Sequence, residues 1–153
     1  MIKYKKKIIN YFRSMNIFQT IQSDFIQPVH KNIQLPRQPK ETEVGNKEYK
    51  RRILFDKNIT KMIEKRRTQM LYRLYEGYGT AYYFIGVEDN GEPQGICIQE
   101  LNTTFHNLKK ISDGLHNIKW NSVEIYYGLH KNTYTAIVKI EVSDDTDMIF
   151  SIY

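Results

Sequence analysis

Between Thr80 and Gly91 the chain reads TAYYFIGVEDNG, and this run limits the fold more than any other. Tyr82, Phe84 and Gly86 alternate with Ala81, Tyr83, Ile85 and Val87, so a strand here is apolar on both faces. Such a strand belongs in the interior of a sheet with cover on each side. Asp89-Asn90-Gly91 follows directly, and it signals a hairpin turn because Asn and Gly tolerate positive φ. Pro93 has no amide hydrogen, which keeps the return strand short or at an edge.

The neighbouring segments supply the rest of a sheet and its cover. Glu48 to Phe55 reads as a strand, with Tyr49, Ile53 and Phe55 as core contacts. Asn58 is placed to cap a helix in which Ile59, Met62, Ile63, Met70, Leu71 and Leu74 fall on one side. Lys61, Lys65, Thr68 and Tyr72 fall on another side, and Gly77 and Gly79 end the helix. A second helix is predicted over about residues 100–115, with Leu101, Phe105, Leu108, Ile111 and Leu115 inward. Strands at 122–129 and 134–142 form a further hairpin. Asp144–Asp147 reads as a loop, and Met148–Tyr153 as a short final strand. The predicted class is α+β, a mixed β-sheet with two main helices packed on one or both of its faces.

At 153 residues the chain holds one domain, and 41% hydrophobic content is enough for a core. Residues 46–153 are expected to form it. Residues 1–45 read as a basic N-terminal arm followed by an extended linker over 24–47 that carries Pro28, Pro36 and Pro39. The single Cys97 excludes an internal disulfide and a cysteine zinc cluster, and its apolar neighbours predict a buried, inert thiol. That fits a reducing, cytoplasmic setting. No run of about 18 apolar residues occurs, so no membrane span is expected.

The charge is unevenly placed. Of a net +6, Lys3, Lys5, Lys6, Lys7 and Arg13 lie in residues 1–23, where there is no acid. Residues 50–73 hold nine basic side chains (Lys50, Arg51, Arg52, Lys57, Lys61, Lys65, Arg66, Arg67, Arg73) against Asp56 and Glu64. Polarity of this kind orients a protein in the field of a polyanion, although many such runs are only solvated helix faces. Tyr49, Tyr72, Tyr75 and Tyr78 lie nearby, and exposed tyrosines stack on bases.

Catalytic signals are sparse. There is no G-x-x-x-x-G-K-[ST] phosphate loop, and Gly77-Tyr78-Gly79 reads as helix punctuation. His30, His106, His116 and His130 are scattered, with no cysteine or histidine at ligand spacing. What remains is acidic. Glu48 opens one strand and Asp89 closes another, so neighbouring strands would let their carboxylates hold Mg²⁺ or Mn²⁺ for phosphodiester cleavage. The commoner alternative pairs Glu48 with a nearby Lys or Arg and leaves Asp89 to build its turn.

The segments EVGNKEYKRRIL and TQMLYRLYEGYGTAYYFIGVEDNGEPQGI, then EL-x-x-T-x-x-x-L-x-x-I, resemble the N-terminal region of translational GTPases of the GTP-binding protein 1 and 2 group. These are relatives of elongation factor Tu, and the resemblance covers about residues 43–142. In that family the region precedes the GTPase domain, and this chain ends where that domain would start. The resemblance therefore implies an accessory role, in contact with tRNA, the ribosome or RNA-decay partners, without GTP hydrolysis. A second, weaker resemblance joins Glu48-Tyr49-Lys50 to the strand ending Ile85-Gly86-Val87-Glu88-Asp89. It looks like the Schlafen AlbA-like module, found in nucleic-acid-binding proteins and some RNases. In the RNases two glutamates and a later Asp carry catalysis, a pattern that Glu43, Glu48 and Asp89 match, with Glu88 as an alternate third. The usual Asn-x-x-Gly-Gly before the strand is missing, and Glu76-Gly77-Tyr78-Gly79 stands in its place.

These readings converge on a stand-alone RNA-binding domain with no cofactor, associated with translation. Lys50, Arg51, Arg52, Lys65, Arg66, Arg67 and Arg73 are its expected phosphate contacts. The alternatives are a metal-dependent endoribonuclease using Glu43, Glu48 and Asp89 with Mg²⁺ or Mn²⁺, and a protein-interaction module for a translational GTPase supplied in trans.

Overall fold

The doubly apolar run forms β3 (Thr80–Ile85), and it lies inside the sheet, with hydrogen-bonded neighbours on both sides. The computed structural model describes residues 27–143. Its five strands run in the order β1-β4-β5-β3-β2, where β1 is Val29–Gln34, β2 Lys47–Lys50, β4 Ile118–Tyr127 and β5 Tyr134–Val142. β5 is antiparallel to both β3 and β4, whereas the outer strands β1 and β2 lie parallel to β4 and β3. The mixed sheet and its two helices, α1 (Ile59–Glu76) and α2 (Ile98–Asp113), make the fold α+β as predicted.

Alternation along β3 explains the layering. Ala81, Tyr83 and Ile85 face a large core that also takes Met70 and Leu74 of α1 and Leu101, Phe105, Leu108 and Ile111 of α2. Both helices thus share one face of the sheet. Phe84 faces the other way, into a smaller cluster with Leu35, Tyr49 and Val87. Period-two burial in the strands and 3.6-residue burial in the helices meet across one interface.

Four sequence expectations differ from the structure. The stretch expected as an extended linker over 24–47 contains β1, so the sheet draws on residues before Asn46. The strand expected over Glu48–Phe55 leaves the sheet after Lys50, because α2 takes over its backbone. The Ile53 amide donates to Thr104 Oγ1 at 3.1 Å, and its carbonyl accepts from Asn107 Nδ2 at 2.8 Å. The Asp89-Asn90-Gly91 turn forms, with Gly91 at φ 92°, but no hairpin follows it. Both edges of β3 are already occupied, so the returning chain makes only one bridge, between Ile96 and Tyr134. Cys97 is half-buried at the head of α2, with its thiol 3.5 Å from Glu100 Oε1. The arm predicted over residues 1–23, the loop at 144–147 and the strand at 148–153 lie outside the described residues.

Candidate nucleic-acid interface

Helix α1 runs for 18 residues without an internal Gly or Pro. At about 100° per residue its side chains sort cleanly. Met70 and Leu74 are buried against the sheet. Lys61, Lys65 and Thr68 point roughly the opposite way and are exposed, and Lys57 just before the helix is exposed too. Arg66, Arg67 and Arg73 flank the buried stripe, so the basic residues of this region fall into two sets with different work.

Arg73 belongs to the interior, at 5% exposure. Its Nε donates to Glu48 Oε2 at 2.7 Å. Nη1 donates to the carbonyls of Val44 (3.2 Å) and Gly45 (3.0 Å), and Nη2 to that of Thr42 (3.0 Å). Glu41 Oε2 lies 4.0 Å from Nη2. Four of the five guanidinium donors are used inside the protein and the side chain is buried, so the expected role of Arg73 as a nucleic-acid contact is corrected to that of a buried tie. It holds residues 42–45 and β2 onto α1.

Arg67 is likewise engaged. Its Nε and Nη2 donate to the carbonyls of Ile111 and Lys110, both at 3.0 Å. These are among the last carbonyls of α2, which have no partner within the helix, so Arg67 caps its neighbour. Lys50 is mostly buried and pairs with Glu48 Oε1 at 3.2 Å. Arg66 reaches Gln69 Oε1 at 3.2 Å.

The remaining cations face outward. Arg51 is 57% exposed, with Glu88 Oε1 3.6 Å away. Arg52 pairs with Glu100 at the head of α2, and that hydrogen bond holds the Glu100 carboxyl below its ordinary value. Exposed pairs of this kind are weak and exchange readily with another anion. Arg51, Arg52, Lys57, Lys61 and Lys65 thus form an outward-facing basic run from the end of β2 into α1.

The tyrosines divide in the same way. Tyr49 is buried and donates its hydroxyl to the Pro39 carbonyl at 2.9 Å. Tyr72 is half-buried and bonds Glu76 Oε1 at 3.1 Å. Tyr75 is exposed, and Tyr78 is 94% exposed.

The acidic residues of the endoribonuclease alternative are not brought together, and Glu48 takes the commoner role of an ion-pair partner. Glu48 is 6% exposed and its two oxygens serve Arg73 and Lys50. Glu43 and Asp89 are exposed, and Glu88 faces Arg51. Among the described residues no three His, Cys, Asp or Glu side chains gather as a metal site. The carboxylate that does neighbour Glu48 and Asp89 is Glu41, which the sequence did not single out. It accepts the Tyr49 amide, and its own amide donates to the Asp89 carbonyl at 2.8 Å. Burial pushes the Glu41 carboxyl above its ordinary value, and the charges of Glu48 and Asp89 push the same way.

An α+β sheet with helices on one face and a basic outer run is the class of domain this geometry defines. No family model matches the chain, and no solved structure does. Among curated proteins it is similar to GTP-binding protein 2 of mouse and of human, each 38% identical over 78 residues. That stretch is 51% of this chain and 13% of those relatives' length. No helix among the described residues is long and apolar enough to cross a membrane.

Proposed function

We propose that this chain is an RNA-binding accessory domain that works around translation and carries no GTPase activity of its own. The observation that carries the reading is the outward run of Arg51, Arg52, Lys57, Lys61 and Lys65, in which Arg51 and Arg52 make only exposed ion pairs, while the fold consumes Arg67 and Arg73 internally. Phosphate contact supplies most of the affinity of such surfaces and makes it depend on salt. The similarity to a short part of GTP-binding protein 2 supports a place beside GTP-binding machinery, with tRNA or ribosomal RNA as the expected polyanion. The test is a titration with tRNA and ribosomal RNA fragments at several salt concentrations, with and without Mn²⁺. Affinity that falls steeply with salt and is lost on reversing Lys61 and Lys65 to Glu supports the reading. Affinity flat in salt overturns it, and cleavage that appears only with Mn²⁺ would replace it with a nuclease.

A second reading, a docking module for a GTP-binding protein supplied in trans, rests on the same similarity. Co-elution with such a protein at high salt, without RNA binding, would favour it.

A further inference from the structure

The turn that ends α1 is built against its own sequence. The Gly77 amide returns to Arg73 O at 3.0 Å and the Gly79 amide to Leu74 O at 2.8 Å, which closes the helix. Between the two glycines Tyr78 sits at φ 52°, in the left-handed region, followed by Gly79 at 97°. The position is one that glycine fills without strain and a bulky side chain does not. Nor does the fold gain from the ring, which is 94% exposed and outside both apolar clusters. A residue that is disfavoured by its backbone and unused by the core points to a role outside folding.

Its surroundings indicate which role. Lys61, Lys65, Thr68, Tyr72 and Tyr75 lie within roughly 40° of one line along the outer face of α1. That line is about 21 Å long at 1.5 Å per residue, and the exposed Tyr78 follows in the turn that ends the helix. The lysines lie in the N-terminal half, where the helix dipole also favours a phosphate, and the aromatics lie at the C-terminal end, where it repels one. A ligand that follows the line must offer negative charge at one end and an uncharged flat face at the other. Single-stranded RNA offers both, whereas a duplex hides its base faces. We infer that the outer face of α1 is a track for single-stranded RNA, with phosphates on Lys61 and Lys65 and an unpaired base stacked on Tyr78. This deepens the RNA-binding reading and rests on it.

The test uses the full chain and a fluorescently labelled 12-nucleotide oligouridine, beside an RNA duplex of equal length, read by anisotropy. Tyr78→Gly should weaken single-strand binding about 5- to 160-fold, the range of one lost base stack, and leave duplex binding unchanged. Tyr78→Phe should bind as the wild type does. The melting temperature of Tyr78→Gly should equal or exceed that of the wild type, which separates lost binding from lost fold. If Tyr78→Gly binds the single strand normally while Lys61→Glu with Lys65→Glu does not, the basic surface stands and the stacking track is wrong. If the wild type binds neither RNA, the RNA-binding reading falls and takes the track with it. In that case Tyr78-dependent binding to a GTP-binding protein would assign the surface to a protein partner.

Discussion

Glu48 and Arg73 form an ion pair in which each side chain is at least nine-tenths buried. Removing one partner of such a pair leaves an uncompensated charge inside the protein. Glu48→Gln should therefore lower stability by roughly 3 kcal/mol in urea unfolding, and Glu48→Gln with Arg73→Met should recover much of that. Glu41 works in the opposite sense. Its carboxyl is raised from 4.5 in the fold, so its favourable contribution is present below that value and is lost as pH rises through the folded one. Glu41→Gln keeps an acceptor for the Tyr49 amide and removes the titration. It should remove the loss of stability that Glu41 contributes as pH rises above about 4.5, read as a higher melting temperature than the wild type at pH 7 and a smaller difference below pH 4.5. The split between interior and surface cations was legible in the sequence, though only through helical position. Arg73 stands three residues from Met70 and next to Leu74, on the buried side, while Lys61 and Lys65 lie opposite. Counting charges over residues 50–73 pools the two sets and hides it. Glu41 carried no such signal, because the segment that holds it reaches the Asp89–Gly91 turn only through tertiary contacts.

Among the elements, those with strong periodicity matched the structure closely. Both helices, β3 and the β4–β5 pair formed within a few residues of their expected limits. β1 escaped because VHKNIQ has little apolar alternation and lies at the sheet edge, where Val29 and Ile33 remain exposed. β2 was overextended because no local pattern reveals that side chains of α2 bind the backbone of Ile53. The contact between the helices yields a sharper expectation. A Cβ on Gly114 would lie 1.9 Å from Arg67 Cζ, so the glycine makes room for the guanidinium that caps α2. Gly114→Ala should displace Arg67 and cost about 1–2 kcal/mol through its two hydrogen bonds. In an Arg67→Ala background the same change should cost little, and full additivity in denaturation would refute the coupling.

Across the whole molecule, the two-layer packing fixes which charges meet solvent. Five cations between Arg51 and Lys65 face out, so a single strand contacting all of them should show a slope of log affinity on log salt near about −3.5, at roughly −0.7 per phosphate. Lys61→Ala with Lys65→Ala should make that slope shallower by about 1.4, measured by the same titration. The topology also sets a timetable. β1 is the first described strand in the chain, yet its partner β4 lies about 95 residues further on, at Val29 opposite Glu124. During synthesis at roughly 5–20 residues per second, some 5–20 s pass after β1 is made before its partner exists. The edge that finishes the sheet is thus the oldest part of it, and the nascent chain must carry those six residues without a ladder until β4 is made.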